Sequence, residues 1–77
     1  MPKELDATYD PSVDVAYFQI APDVRAGDAM RQQVIEVEDR GEFILDFDAE
    51  GSLLGIEILG ASQLLRQSSL EIARRLS

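Results

Sequence analysis

The densest chemistry in the chain lies around one turn. Asp46, Asp48 and Glu50, then Gly51 and later Glu57, put carboxylates at positions 1, 3, 5 and 12 of a loop with glycine at position 6. That is near the spacing of a helix–loop–helix calcium site, because a hard cation takes oxygen ligands and glycine permits the sharp turn. The flanks argue against it. Phe43–Phe47 and Leu54–Ile58 alternate as strands do, and an extended Leu53–Ile58 carries Glu57 off the turn at ~3.3 Å per residue. The spacing therefore predicts an acidic β-hairpin turn closed by Gly51. Asp46, Asp48, Glu50 and Glu57 are kept as weak candidates for a surface cation, and no metal or cofactor is expected to be required.

Glu36, Asp46 and Glu57 can share a face on neighbouring strands, and paired carboxylates do acid–base work when burial splits their pKa values. Such a site also needs a pocket and an electrophilic partner. The chain has no histidine and no cysteine. Its serines, at 12, 52, 62, 68, 69 and 77, have no histidine to act as base and all sit in turn, cap or terminal contexts. No catalytic residue and no enzymatic activity are expected.

The acids are unevenly placed. The 77 residues hold 15 acids and 7 bases, a net charge of −8, and only Glu71 among the acids falls after residue 60. Arg66, Arg74 and Arg75 make the end of the chain mildly basic. Phosphate backbones are bound through lysine and arginine, so this balance excludes nucleic acid as the expected partner. Arg74 and Arg75 at a helix C-terminus complement its dipole. With Arg66 they are also candidates for contact with the acidic body of another subunit.

A chain this short is one domain, residues 1–77, and buries only roughly 60% of its unfolded surface. Disulfides and thiolate metal sites are excluded by composition, which leaves self-association as the available compensation. Residues 1–10 lack the apolar core of a signal peptide, and the longest apolar stretches are far short of a membrane span. A cytoplasmic protein without a membrane partner is the expectation.

Turn signals at Asp10-Pro11-Ser12, 21–28, Asp39-Arg40-Gly41 and Asp48–Gly51 divide residues 5–59 into segments of strand length. Val15 and Tyr17 oppose Ala16 and Phe18. Val34 and Glu36 oppose Ile35 and Val37. Phe43, Leu45 and Phe47 oppose Ile44, Asp46 and Asp48, while Leu53, Gly55, Glu57 and Leu59 oppose Leu54, Ile56 and Ile58. That period of two predicts a half-buried sheet. After Gly60 the pattern becomes helical over 62–76, with Ser62 as a candidate N-cap and Leu65, Ile72 and Leu76 as a stripe. Ser68 and Glu71 have capping-box spacing, so the helix is either continuous or broken near 68. The fold class is α+β: a four- to five-stranded antiparallel β-meander with a C-terminal helix.

Tyr9-Asp10-Pro11 with Asp14 and Tyr17, together with Asp46-Phe47-Asp48, Gly51, Leu53–Leu59 and Ala61-Ser62, resembles domain-of-unknown-function family 2283, a family of small bacterial proteins. The resemblance spans about residues 5–66. The chain has Gly60 where that family often has an acid, and residues 67–77 extend past its usual end. The resemblance implies a β-meander plus helix and no assigned activity. One helix covers one sheet face, so Val15, Tyr17, Leu53 and Leu59 are candidate interaction residues. The expected function is a non-catalytic, homo-oligomerising interaction module, a homodimer that also accepts a small basic protein partner. The alternative is a cation- or small-ligand-binding domain using the turn at 46–51.

Overall fold

The computed structural model describes residues 6–76, with side chains as far as Arg74. The strands are β1 (Asp6–Asp10), β2 (Val15–Gln19), β3 (Arg31–Val37), β4 (Gly41–Phe47) and β5 (Leu53–Leu59), followed by α1 (Ala61–Leu64) and α2 (Gln67–Leu76). The expected α+β class is what the chain forms, with five antiparallel strands where four to five were expected and two helices in place of one C-terminal helix. The strand order is β1-β2-β5-β4-β3. Strands β3, β4 and β5 form a meander, and the β1–β2 hairpin docks on β5 rather than on β3. The loop of residues 20–30 makes that step around the sheet end. Ile20 and Ala21 both donate backbone N–H groups to the Leu54 carbonyl, and Met30 donates to that of Phe47.

The registers sort side chains as the alternation requires. Tyr9, Ala16, Ile58, Phe43 and Ile35 form one continuous cross-strand row, with Ala7, Phe18, Ile56, Leu45 and Gln33 beside it. Nine of these ten positions are apolar, so this face forms the core. The opposite face carries the row Thr8, Tyr17, Glu57, Ile44 and Val34, flanked by one row from Asp6 to Gln32 and another from Asp10 to Glu36. The partition follows from the strand period alone.

Helix α2 packs over β1 and β2 on the core face. Ala16, Ile58, Ala61 and Leu70 are the buried centre, with Tyr9, Phe18, Phe43, Ile56, Leu64 and Leu65 against it. The helical break falls at Leu65–Arg66, not near 68, because Leu65 is extended at φ −111° and ψ 152°. Ser68 is therefore the second residue of α2. The expected stripe is corrected with it: Leu70 and Ala73 face the sheet, whereas Ile72 is 53% exposed and Leu65 packs from the linker. The Leu76 side chain, like Leu5 at the start of the expected first strand, lies outside the described residues.

The domain measures 32 × 31 × 18 Å, the proportions of one sheet and one helical layer. Its core is thin. The buried apolar residues are Ala7, Ala16, Leu54, Ile58, Ala61, Leu70 and Ala73, and no large side chain among the described residues is completely enclosed.

Two close approaches explain glycines. Gly41 lies against the end of β5, where an added Cβ would sit 2.0 Å from the Leu59 carbonyl oxygen. Gly55 lies beneath the Tyr17 ring, with an added Cβ 2.1 Å from the Tyr17 hydroxyl and 3.0 Å from the Phe18 carbonyl oxygen. A ring can swing aside and a paired backbone carbonyl cannot. Urea denaturation of Gly55→Ala is expected to show a loss of about 1–3 kcal/mol. Gly41→Ala should lose more, and the reverse order would contradict this packing.

Candidate functional site

The best-connected polar group is Asp14, in the turn between β1 and β2. Asp10 starts that turn: its Oδ1 accepts from the Ser12 backbone N–H at 2.9 Å and from the Ser12 hydroxyl at 2.6 Å. Asp14 ends it at φ 55°, a left-handed conformation that aspartate tolerates better than most residues. Its backbone carbonyl accepts from Gly60 and Ala61 N–H, both at 3.0 Å. Its carboxylate accepts from Ser62 N–H at 2.9 Å, the Ser62 hydroxyl at 2.7 Å and the Tyr9 hydroxyl at 2.8 Å.

Asp14 therefore caps α1 from another part of the chain. The local N-cap is Gly60 at φ 77°, with no side-chain cap of its own, and the expected N-cap Ser62 is instead a donor to Asp14. Hydrogen bonds from Ser62 and then Tyr9 hold the Asp14 carboxyl below its ordinary pKa. The bond to Asp14, then burial and the nearby carboxylate, raise that of the Tyr9 phenol, against a smaller opposing effect of Arg74. The Arg74 guanidinium lies 5.2 Å from the centre of the Tyr9 ring, within cation–π range.

The acidic turn does not gather its acids. Asp48 Oδ1 accepts from Glu50 N–H at 2.9 Å and Ser52 N–H at 2.8 Å, so this carboxylate closes its own turn. Gly51 N–H completes it by bonding the Asp48 carbonyl at 3.1 Å, with Gly51 at φ 87°. Asp46 accepts from the Gln32 amide at 2.9 Å, and Glu57 stands up the sheet opposite Tyr17 and Ile44. Among the described residues no three acids converge on a point. Arg31 lines two open clefts beside the turn, of about 370 and 360 Å³, and a cationic side chain there disfavours a second cation.

Of the interaction candidates, Val15, Tyr17 and Leu59 stand half-buried on the sheet face that α2 does not cover. Leu53 lies at an irregularity where β5 carries one residue more than β4. Burial first, and then the carboxylates of Asp46 and Glu57, raise the Tyr17 pKa. Arg66 is exposed just before α2, Arg74 is engaged with Tyr9, and the Arg75 side chain lies outside the described residues. The sequence reading missed the Asp14–Ser62 link. The two residues are 48 positions apart, and the only sequence signal was that both belong to the stretches carrying the family resemblance.

A model of a family described as a protein of unknown function (DUF2283) matches residues 7–62. No curated protein and no solved structure matches the chain. The matched span runs from Ala7, a buried residue of β1, to Ser62, and so includes both sides of the Asp14 link.

Asp14→Ala is expected to lower the melting temperature by more than Tyr9→Phe, because it removes acceptors from three donors rather than one. The sign of the pH effect follows from the depressed folded-state pKa. The contribution of Asp14 is present above the ordinary carboxylate value, about pH 4, and is lost as pH falls through the lower folded value. Acid titration by circular dichroism should show that Asp14→Asn flattens this part of the stability profile. An unchanged profile would remove Asp14 as the joint.

Proposed function

Because the chain belongs to that family of proteins of unknown function, membership brings no activity, and we propose that it is a non-catalytic, homo-oligomerising interaction module, a homodimer in its simplest form. The observation that carries this reading is the state of β3. It is an edge strand of seven residues without proline. Val34 on one side is 52% exposed and Ile35 on the other is 45% exposed. Edge strands in monomeric proteins are usually shortened, charged inward, bulged or covered, because a bare edge is a template for another strand. No strand among the described residues covers this one.

Charge along β3 supports a second copy as the occupant. Arg31 opens the strand and Glu38 follows its last residue, Val37, and Arg31 has no ion-pair partner among the described residues. Antiparallel pairing of two β3 strands sets the basic end of each against the acidic end of the other, twice per two-fold interface. Parallel pairing sets like charges side by side. The thin core accords with stabilisation through association. A composition without histidine or cysteine supports the non-catalytic part of the reading. No helix among the described residues is long and apolar enough to cross a membrane, and a cytoplasmic setting accords with the lack of cysteine.

Light scattering at micromolar concentration should give about twice the 8.5 kDa chain mass. Ile35→Lys places an inward charge on the edge at a half-exposed position and is expected to give a folded monomer. Arg31→Glu and Glu38→Lys should each weaken association, by roughly tenfold if two exposed pairs are reversed, and an equimolar mixture of the two should recover it. A wild-type chain that stays monomeric at these concentrations would defeat the proposal.

A further inference from the structure

The sheet face opposite the helices is a different surface from the β3 edge. Its fifteen strand positions carry six acids, Asp6, Asp10, Glu36, Glu42, Asp46 and Glu57, and no lysine or arginine. Between the acids stand Val15, Tyr17, Ile44, Val34 and Leu59, none of them buried. Glu36 and Glu42 are directly opposed across β3 and β4. Like charges in that position repel, and neither has a basic partner among the described residues. The face is left with repulsion that the fold does not relieve.

We propose that this face docks a basic polypeptide segment whose lysines or arginines are interleaved with apolar side chains. Its acids are spread over four of the five strands, which lie ~4.8 Å apart, and no three of them gather as ligands for one ion. They are arranged as separate acceptors for separate cationic groups. The apolar side chains between them supply contact area, and Tyr17, which lies over Gly55, offers an aromatic surface to a cationic or apolar group. A second copy of the chain does not fit this face, because stacking it on itself sets six acids against six. Nucleic acid is excluded by the same sign. The raised pKa of the Tyr17 phenol, in part an effect of Asp46 and Glu57, accords with a negative potential over the centre of the face.

The test uses the full chain, labelled with nitrogen-15, and a synthetic peptide of alternating lysine and valine. Amide shifts are expected at Tyr17, Ile44, Glu57 and Leu59, weakening as salt rises, and none with the peptide in which glutamate replaces lysine. Asp46→Asn with Glu57→Gln should weaken binding about tenfold, whereas Asp23→Asn with Glu50→Gln, which removes the same charge elsewhere, should change it less than about twofold. Equal weakening by both pairs would mean bulk charge alone and overturn the proposal. So would the absence of shifts on this face at millimolar peptide. Shifts there on raising protein concentration without peptide would assign the face to a second copy and also overturn it. Ile35→Lys leaves this face intact, so the edge reading and the face reading fail separately.

Discussion

Asp14 joins the two layers of the domain. Its left-handed conformation aims both the backbone carbonyl and the carboxylate at the start of α1, where Gly60, Ala61 and Ser62 present N–H groups. A helix of four residues is too short to hold itself in water, and the unpaired donors of its first turn need acceptors from outside. Asp14 supplies them from the β1–β2 turn, and Tyr9 steadies its carboxylate from the neighbouring strand. The chain then reverses at Leu65–Arg66, and α2 returns over β1 and β2 with Leu70 and Ala73 against the sheet. Where the helical layer lies is settled at this one joint.

The position of that layer has consequences for the rest of the surface. A ten-residue helix covers two strands of five, so β3 keeps both its edge and its apolar side chains exposed. Among the described residues no layer covers the opposite face. Two unlike surfaces result: an edge whose charges run from basic to acidic, and a face whose charged strand positions are all acidic. A single apolar patch shared between two copies would have made one surface enough. The charge distribution separates them, because opposite signs can meet along β3 and cannot meet across the acidic face.

The strand segments and their faces were legible before the fold was known. Val15 and Tyr17 share one side of their strand, as do Glu57 and Leu59 on theirs and Ile44 and Asp46 on theirs, because a strand alternates with a period of two whatever it pairs with. The turn at 46–51 was legible for a similar reason, since Asp48 and Gly51 satisfy a local geometry with local groups. Helical details were less so. Ile72 fits a stripe with Leu65 on a continuous helix, but the extended Leu65 breaks the phase, and Leu70 takes the buried position. Serine at 68 and glutamate at 71 have the spacing of a cap, yet the helix begins before them because the linker ends at Arg66.

Sequence by itself determined that histidine and cysteine are missing, where the strand segments fall, which side chains alternate along each, and the family to which residues 7–62 belong. All of these depend on composition or on neighbours a few positions apart. Only the tertiary structure decided that β5 lies between β2 and β4, that Asp14 meets Ser62, and that Asp46, Asp48, Glu50 and Glu57 do not converge. Those outcomes depend on groups brought together from distant parts of the chain, and no local period encodes such meetings. The acid excess that reads as a charge on the whole chain became, through strand registry, a property of one face.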